Sequence, residues 1–466
     1  MLVAVFGLIG LGLMVFVHEL GHFVAAKMNG VAVEVFSLGW GPRMIGFTRG
    51  GTTYQISWFP IGGYCKMRGE LVPGIAGGAG EGGAASAQPV PREAHPEGSF
   101  LAAAPWRRIV IAAFGPLFNL LFAFVVFTMI WWVGFTVYSS DNRVVLATDY
   151  TLDKFPTPPP ATTAGLKTGD RVVAIDGAPV EKFRDILEKV SVAPGRKFTL
   201  TVERAVNGSP QTVTFAIAPE LDRNTGAGRI GIYSWVDPVV DSVDPGSAMA
   251  IAGLHKGDRI LSVDDRPVSN TMDLYQDLSA KPQKISLAYA RAGATERVPL
   301  VLMYDEKGAP NLGIAWAYQK FRSPRMGLDG AVGHGLEETW TNTVLTVRGI
   351  GLLFKGINIR KAVAGPLKIT QLIGEAATSG FQVGIVFGLI TFFRLLALLS
   401  VVLLLMNLLP IPATDGGQII IFIVEIVRGK PLRSRLIWRL QIIGFSVLLL
   451  IFVLVSFSDI LSWVGL

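Results

Sequence analysis

Residues 1–27 read MLVAVFGLIGLGLMVFVHELGHFVAAK, and the placing of His18-Glu19-Leu20-Gly21-His22 inside that apolar run governs the reading of the whole chain. Residues 1–17 carry no charged side chain, and residues 23–26 extend the run to Lys27. A helix through this stretch puts His18 and His22 one turn apart on one face, the spacing at which two imidazoles hold one zinc ion. Glu19 falls on the neighbouring edge, where it can take a proton from water activated by the metal. Two histidines and a glutamate in a lipid-spanning helix are costly unless they face partners, so such residues are functional by default. The competing reading is a chance match in a soluble helix. Two of the five histidines in the chain fall in the motif, which weighs against it.

Composition points the same way. Half of the 466 residues are hydrophobic and only 17% are charged, as in a membrane enzyme with several domains rather than a soluble one. The single cysteine, Cys65, excludes an intramolecular disulfide and a cysteine-based zinc site. Four stretches are long and apolar enough to cross a bilayer, namely 1–26, 108–137, 384–409 and 440–458. The first lacks a basic leader and carries ionisable residues where a secretory signal is apolar, so a retained span is expected. The loop between the first two spans holds Lys27, Arg43, Arg49, Lys66, Arg68, Arg92, Arg107 and Arg108. The loop between the last two holds Arg428, Lys430, Arg433, Arg435 and Arg439. Four spans put these loops on one side, and the positive-inside rule makes that side cytoplasmic, with both ends and the central region outside. Trp131 and Trp132 then suit the outer interface.

A third metal ligand should lie at similar depth. At about 1.5 Å per residue, His18 sits about 25 Å from the outer end of its helix, near the cytoplasmic side of a core about 30 Å thick. The third apolar segment ends Asn407-Leu408-Leu409-Pro410-Ile411-Pro412-Ala413-Thr414-Asp415-Gly416-Gly417. The prolines break the helix and the paired glycines permit a sharp turn after Asp415, letting its carboxylate reach inward. His18, His22 and Asp415 leave a fourth position for water, as a hydrolytic zinc requires. A solvated aspartate in a helix-ending turn is the alternative. Asn407 either hydrogen-bonds a substrate carbonyl or oxyanion, or caps the broken helix.

HELGHF together with NLLPIPATDGG resembles the site-2 protease family of intramembrane zinc proteases. Further matching stretches are Gly30-Val31 through Phe36–Pro42, Pro60–Met67, Gly115-Pro116-Leu117-Phe118-Asn119 and Ala364-Gly365-Pro366, so that the likeness covers nearly the full length. The resemblance implies one zinc per chain on His18, His22 and Asp415, Glu19 as general base and Asn407 assisting. Gln418 stands where many relatives have a histidine, Val402 where an asparagine is frequent, and Arg394 is a charge within the third span.

Residues 43–68 read as β structure. Arg43–Thr48 and Thr52–Trp58 flank Arg49-Gly50-Gly51, a hairpin signal, and Thr53, Gln55 and Ser57 make one face polar. A substrate helix hides its own peptide bonds, so cleavage requires an extended segment that can pair with an edge strand, and these three residues are the expected substrate contacts. The family's membrane-re-entrant β-loop resembles this region; a hairpin with a packing role alone is the alternative. Residues 71–99, rich in glycine, alanine and proline, show no periodicity.

An internal repeat fills the centre. Residues 164–176 (AGLKTGDRVVAID) recur as residues 252–264 (AGLHKGDRILSVD), and Pro179-Val180 recurs as Pro267-Val268 at the same offset. The repeat resembles two tandem PDZ domains in the bacterial, permuted order, at 138–235 and 236–320. Their closing runs, Ile230-Gly231-Ile232 and Leu312-Gly313-Ile314, are the expected peptide-accepting segments. Either domain can instead be a bulky cap with an empty groove, and Pro156, Pro158, Pro159 and Pro160 make the approach to the first irregular. Within the linker 327–380, Leu336, Trp340, Val344, Val347, Ile350 and Phe354 form a helical stripe, expected along the outer membrane surface or against the spans.

The expectation is therefore a multi-domain membrane protein. It has a first membrane half at 1–137, a second at 384–466, four transmembrane α-helices, a membrane-associated β-hairpin region and two β-rich PDZ domains. By the resemblance it cleaves single-span membrane proteins of the anti-sigma-factor or remnant-signal-peptide class, after an upstream site-1-type protease has trimmed the external domain. It would reside in the lipid bilayer of a bacterial inner membrane, with PDZ domains periplasmic and the active site near the cytoplasm; no nucleic acid is expected as partner. A non-catalytic PDZ membrane scaffold would have no need of Glu19. A zinc transporter or sensor would need polar residues along a path across the spans, and only Arg394, Asn119 and the metal cluster stand out.

Overall fold

The computed structural model describes residues 2–70, 96–150, 157–206, 208–223, 225–304, 310–323, 325–353 and 364–464. It divides into one unit of Met1–Phe135 with Ser323–Leu466, and a second of Thr136–Arg322. Most of the 71–99 loop, Pro156 and Phe354 lie outside the described residues.

Four helices of the first unit are long and apolar enough to cross a membrane: Leu2–Met28, Pro105–Val133, Ile385–Asn407 and a stretch at Arg435–Leu461. They are called the first to fourth spans below. Between lipid-facing helices the hydrophobic effect gives no net attraction, so small residues must let backbones approach. The first span obeys this rule. A Cβ on Gly7 would meet the Thr370 carbonyl oxygen at 2.2 Å, one on Gly21 the Phe114 carbonyl oxygen at 2.2 Å. Thr370 belongs to a helix at Pro366–Val383, which packs on the first and third spans. Buried Asp459 of the fourth span accepts hydrogen bonds from the Gly365 and Lys368 amides, satisfying donors at the start of that helix.

The linker stripe faces the opposite way from a core stripe. Helix Leu328–Leu353 packs on the second span, but through buried Ala331, Gly335 and Thr339, while Leu336, Trp340 and Val347 point outward. Helices in lipid bury small residues and expose large apolar ones, so the periodicity marks the side away from the neighbouring span. Arg394 is paired: its guanidinium lies 2.5 Å from Glu338 of this helix, and Glu338 also accepts from the Trp131 indole. Trp131 is thereby turned toward the helix and stacks on His334, while Trp132 is exposed.

The β region is longer than expected. β1 (Val33–Arg49) and β2 (Thr52–Met67) each bend, so four segments form the ribbon. Residues 43–49 lie beside 52–57, Val35–Leu38 lie beside Thr53–Ile56, and the same Val35–Leu38 lie beside Gly63–Lys66. Gly39, with φ 86°, and Gly62, with φ 81°, stand at the bends, where L side chains are strained. Thr53 and Gln55 are therefore flanked on two sides, and Ser57 pairs with Arg43 and bonds Ser37, so the three do not form a free edge. Their side chains turn to the ribbon itself: Gln55 donates to Ser57 and Tyr64, and Ser57 bonds Ser37. Large apolar side chains including Ile45, Phe47, Trp58 and Phe59 are exposed along the ribbon, which suits a lipid environment.

In the second unit each repeat folds alike. A four-stranded sheet runs Ala178–Pro179, Arg171–Ile175, Phe198–Val206, Ser209–Ile217, and its counterpart runs Arg266–Pro267, Arg259–Val263, Lys284–Arg291, Ala294–Val301. The closing runs return to the opening strands, Ile232–Ser234 against Val144–Leu146 and Ile314–Trp316 against Val240–Val243, which is the permuted PDZ order. The repeated Gly-Asp has a physical cause. Asp170 and Asp258 are each 1% exposed, accept a backbone amide, and pair with Arg204 and Arg291 respectively. Tyr150 ties the repeats together by donating to Asp273 and accepting from Asn270.

The Arg291 guanidinium holds the Asp258 carboxyl below its ordinary value. A carboxyl with a depressed folded pKa stabilises the fold above its unfolded value near 3.9, and that stability is lost as pH falls through the folded value. Hydrogen exchange in Arg259–Val263 and Lys284–Arg291 should therefore accelerate below about pH 4, more in wild type than in Asp258→Asn. At neutral pH Arg291→Ala, which takes the partner from the Asp258 carboxylate, should speed exchange in the same two strands, more than Asp258→Asn does.

Candidate metal centre

His18 and His22 sit on the inward face of the first span, where the one-turn spacing read from the sequence becomes two rings with Nε2 atoms 3.2 Å apart. Asp415 closes the triangle, Oδ2 3.3 Å from His18 Nε2 and Oδ1 3.4 Å from His22 Nε2. The chain reaches this position by a different turn from the one expected. The reversal comes before Asp415, in residues 408–414; Thr414 caps the N-terminus of helix Asp415–Arg428 and Asp415 is its first residue. Gly416 and Gly417 serve close packing within that helix, since a Cβ would meet the Leu408 carbonyl oxygen at 2.3 Å and the Ile411 carbonyl oxygen at 1.9 Å.

The second span orients the histidines. His22 Nδ1 lies 2.9 Å from the Ile111 carbonyl oxygen, so it carries the proton and leaves Nε2 as a lone-pair donor aimed at the cluster. Pro116 lies one turn on and lacks the amide that would bond Ala112, loosening the helix near this contact. Asn119, wholly buried, places its side-chain nitrogen 3.0 Å from His18 Nδ1, while its Oδ1 has no hydrogen-bond partner. Turning that amide over lets the oxygen accept from the ring N–H and frees His18 Nε2 in the same sense. Gly115 leaves the necessary room, for a Cβ there would meet His22 Nε2 at 2.3 Å.

Three lone-pair atoms thus converge with no proton donor among them, within 4.8 Å of one another. Such a set repels itself unless a cation lies between, and two imidazoles with one carboxylate suit zinc. The donor set therefore fits the metal.

A cavity of about 260 Å³ opens on this cluster, lined by Glu19, Tyr64, Cys65, Asn407 and Gln418 among others. A Cβ on Gly63 would lie 3.5 Å from Glu19 Cγ, so the β ribbon passes close beside this carboxylate. Asn407 places its amide nitrogen 3.3 Å from His18 Nε2, at the last residue of the third span's helix. Glu70 also lines the cavity, and burial lifts its carboxyl to about 7.

Sequence reasoning brought together His18, Glu19, His22, Asn407 and Asp415, and the structure places all five at this cavity. It did not bring in the Ile111 carbonyl, Gly115 or a role for Asn119. An uncharged amide inside an apolar span was the available signal for Asn119; a backbone carbonyl leaves none. In the PDZ repeats, Ile230 and Leu312 are buried in their domain cores rather than presented as contact surface. Ile230, Gly231 and Ile232 do border a groove of about 90 Å³ beside helix Phe183–Ser191.

A family model, that of peptidase family M50, matches residues 6–451. A Treponema pallidum (strain Nichols) protein bearing a zinc metalloprotease name is 36% identical over 461 residues, 99% of each chain. A similarly named protein of Ralstonia nicotianae is 30% identical over 96% of each chain. The regulator of sigma-E protease RseP of Salmonella typhimurium is 29% identical over 97% of each. With a metal-binding geometry of this kind and a family match over nearly its whole length, the chain belongs to peptidase family M50, the site-2 proteases, and is a zinc metalloprotease.

Proposed function

We propose that the chain is an intramembrane endopeptidase that holds one zinc on His18, His22 and Asp415 and cuts single-span membrane proteins in an extended conformation. The convergence of those three side chains beside Glu19, within a span, carries this reading. Zinc held there polarises a peptide carbonyl and lowers the pKa of water. Glu19 takes the proton of the attacking water and returns it to the leaving amine, both within one cavity. Asn407 supplies an amide N–H to the carbonyl oxygen as charge develops on it, and Ile111 and Asn119 hold the imidazoles in the tautomer that presents Nε2.

The substrate strand is assigned to a different edge from Thr53–Ser57. Gly63–Met67 has a ladder on one side only among the described residues, and Tyr64–Met67 line the metal cavity. Adding a strand there delivers an unwound peptide to Glu19, which is what a helical substrate must supply.

By the distribution of basic residues, the active site faces the cytoplasmic side of a bacterial inner membrane and the PDZ tandem lies in the periplasm. The name of the sigma-E regulator is in keeping with substrates of the anti-sigma-factor class, and remnant signal peptides are the second class proposed. The tandem then acts as a size filter that admits substrates already trimmed by an upstream site-1-type protease. A PDZ scaffold without catalysis has no use for the Glu19 arrangement.

With a tagged, externally truncated single-span substrate in liposomes, Glu19→Gln should slow cleavage by about 10²–10⁴-fold while keeping zinc. His18→Ala should lose the zinc itself. Equal cleavage by wild type and Glu19→Gln would sink the reading. A cysteine in the substrate near the scissile bond should cross-link to one placed at Tyr64 in a Cys65→Ser background, and not to one at Thr53; the reverse pattern would reject the edge assignment. Removing residues 138–320 should allow cleavage of an untrimmed substrate that the full chain leaves intact, and an unchanged requirement for trimming would remove the filter.

A further inference from the structure

Away from the ligands, one ion pair is almost sealed from solvent. Arg108 Nη2 lies 2.6 Å from Glu425 Oε2, with side chains 3% and 2% exposed. Arg108 stands in the first turn of the second span, three residues before the carbonyl that fixes His22. Glu425 stands on helix Asp415–Arg428, whose first residue is the carboxylate of the metal cluster. The pair therefore joins the two elements that carry opposite sides of the site.

Neighbouring contacts make this joint directional. The Arg108 guanidinium lies 4.7 Å from the centre of the Phe422 ring, one turn before Glu425, and Phe422 packs against Phe100. The second oxygen of Glu425 accepts from the Leu432 amide at 2.9 Å, holding the segment that leads to the fourth span. A helix is stiff along its axis, with a rise of about 1.5 Å per residue, so fixing Glu425 fixes Asp415 about 15 Å away. Burying two charges is costly, and a packed apolar pair serves plain stability as well or better. A geometric role accounts for charges here where stability alone does not.

We propose that the Arg108–Glu425 pair is a positioning device that sets Asp415 against His18 and His22, and so sets the affinity of the site for zinc. This rests on the reading of those three residues as the zinc ligands. Removing a partner bonded directly to a metal ligand typically costs 10- to 100-fold in metal affinity, and a pair that acts along the helix is expected at the lower end of that range.

The test is zinc competition against a graded chelator, on the full chain in detergent, with thermal unfolding of the metal-free form measured alongside. Glu425→Gln and the more conservative Arg108→Lys should each weaken zinc by about 10-fold. Cleavage lost at limiting zinc should return with added zinc, and the reversed pair R108E/E425R should recover part of the affinity. Unchanged zinc affinity in the two single variants, with only the metal-free melting temperature lowered, would reduce the pair to packing and overturn the proposal. If His18→Ala and Asp415→Ala themselves hold zinc like wild type, the ligand assignment fails instead, a result distinct from the first.

Discussion

An imidazole buried in lipid must have its second nitrogen satisfied before the first can serve a metal, and the second span meets that demand for the site. Ile111 takes the proton of His22, Asn119 sits on His18, Gly115 leaves space for the rings, and Arg108 grips the helix that brings Asp415. The first span carries the motif, yet its histidines have a defined direction only because a neighbouring backbone comes within reach. Gly21 permits that approach, since any side chain there would strike the Phe114 carbonyl. The glycine inside the motif is thus a packing residue that makes the flanking ligands usable.

The same scarcity of partners in lipid explains the other polar residues of the spans. Arg394 finds Glu338, Trp131 shares that carboxylate, and Asp459 receives two amides at the start of a neighbouring helix. None of these lies at the metal. They fasten the linker helices, which are too polar to be spans, onto helices that are, and an unpaired charge at any of them would be heavily penalised.

What was legible in the sequence followed from chemistry carried by side chains at fixed spacing. The two histidines one turn apart, the aspartate beyond the broken third span, the four apolar runs and the 88-residue repeat all belong to that kind. What was misread depended on which neighbour an element would find. Of the two places expected for the stripe through Leu336, Trp340 and Val347, packing against the spans is the one the structure does not give, since the packed face is Ala331, Gly335 and Thr339. Thr53, Gln55 and Ser57 alternate as an edge strand would, but β1 bends at Gly39 and covers the other side of Thr53 and Gln55. Gly416 and Gly417 read as a turn, whereas the constraint is the Leu408–Pro412 segment pressed against the helix.

That last difference bears on how the site is held. If the glycines made a flexible turn, Asp415 would hang from a loop and its distance to the histidines would vary. As the first residue of a fourteen-residue helix, it moves only if the helix moves. Its carboxylate also lies where the helix dipole favours negative charge, which adds to that placement. A preformed triangle of lone pairs is costly when empty and binds a cation tightly for the same reason. The burden of keeping it in place then falls on contacts far from the metal, at the other end of the helix, where Glu425 meets Arg108.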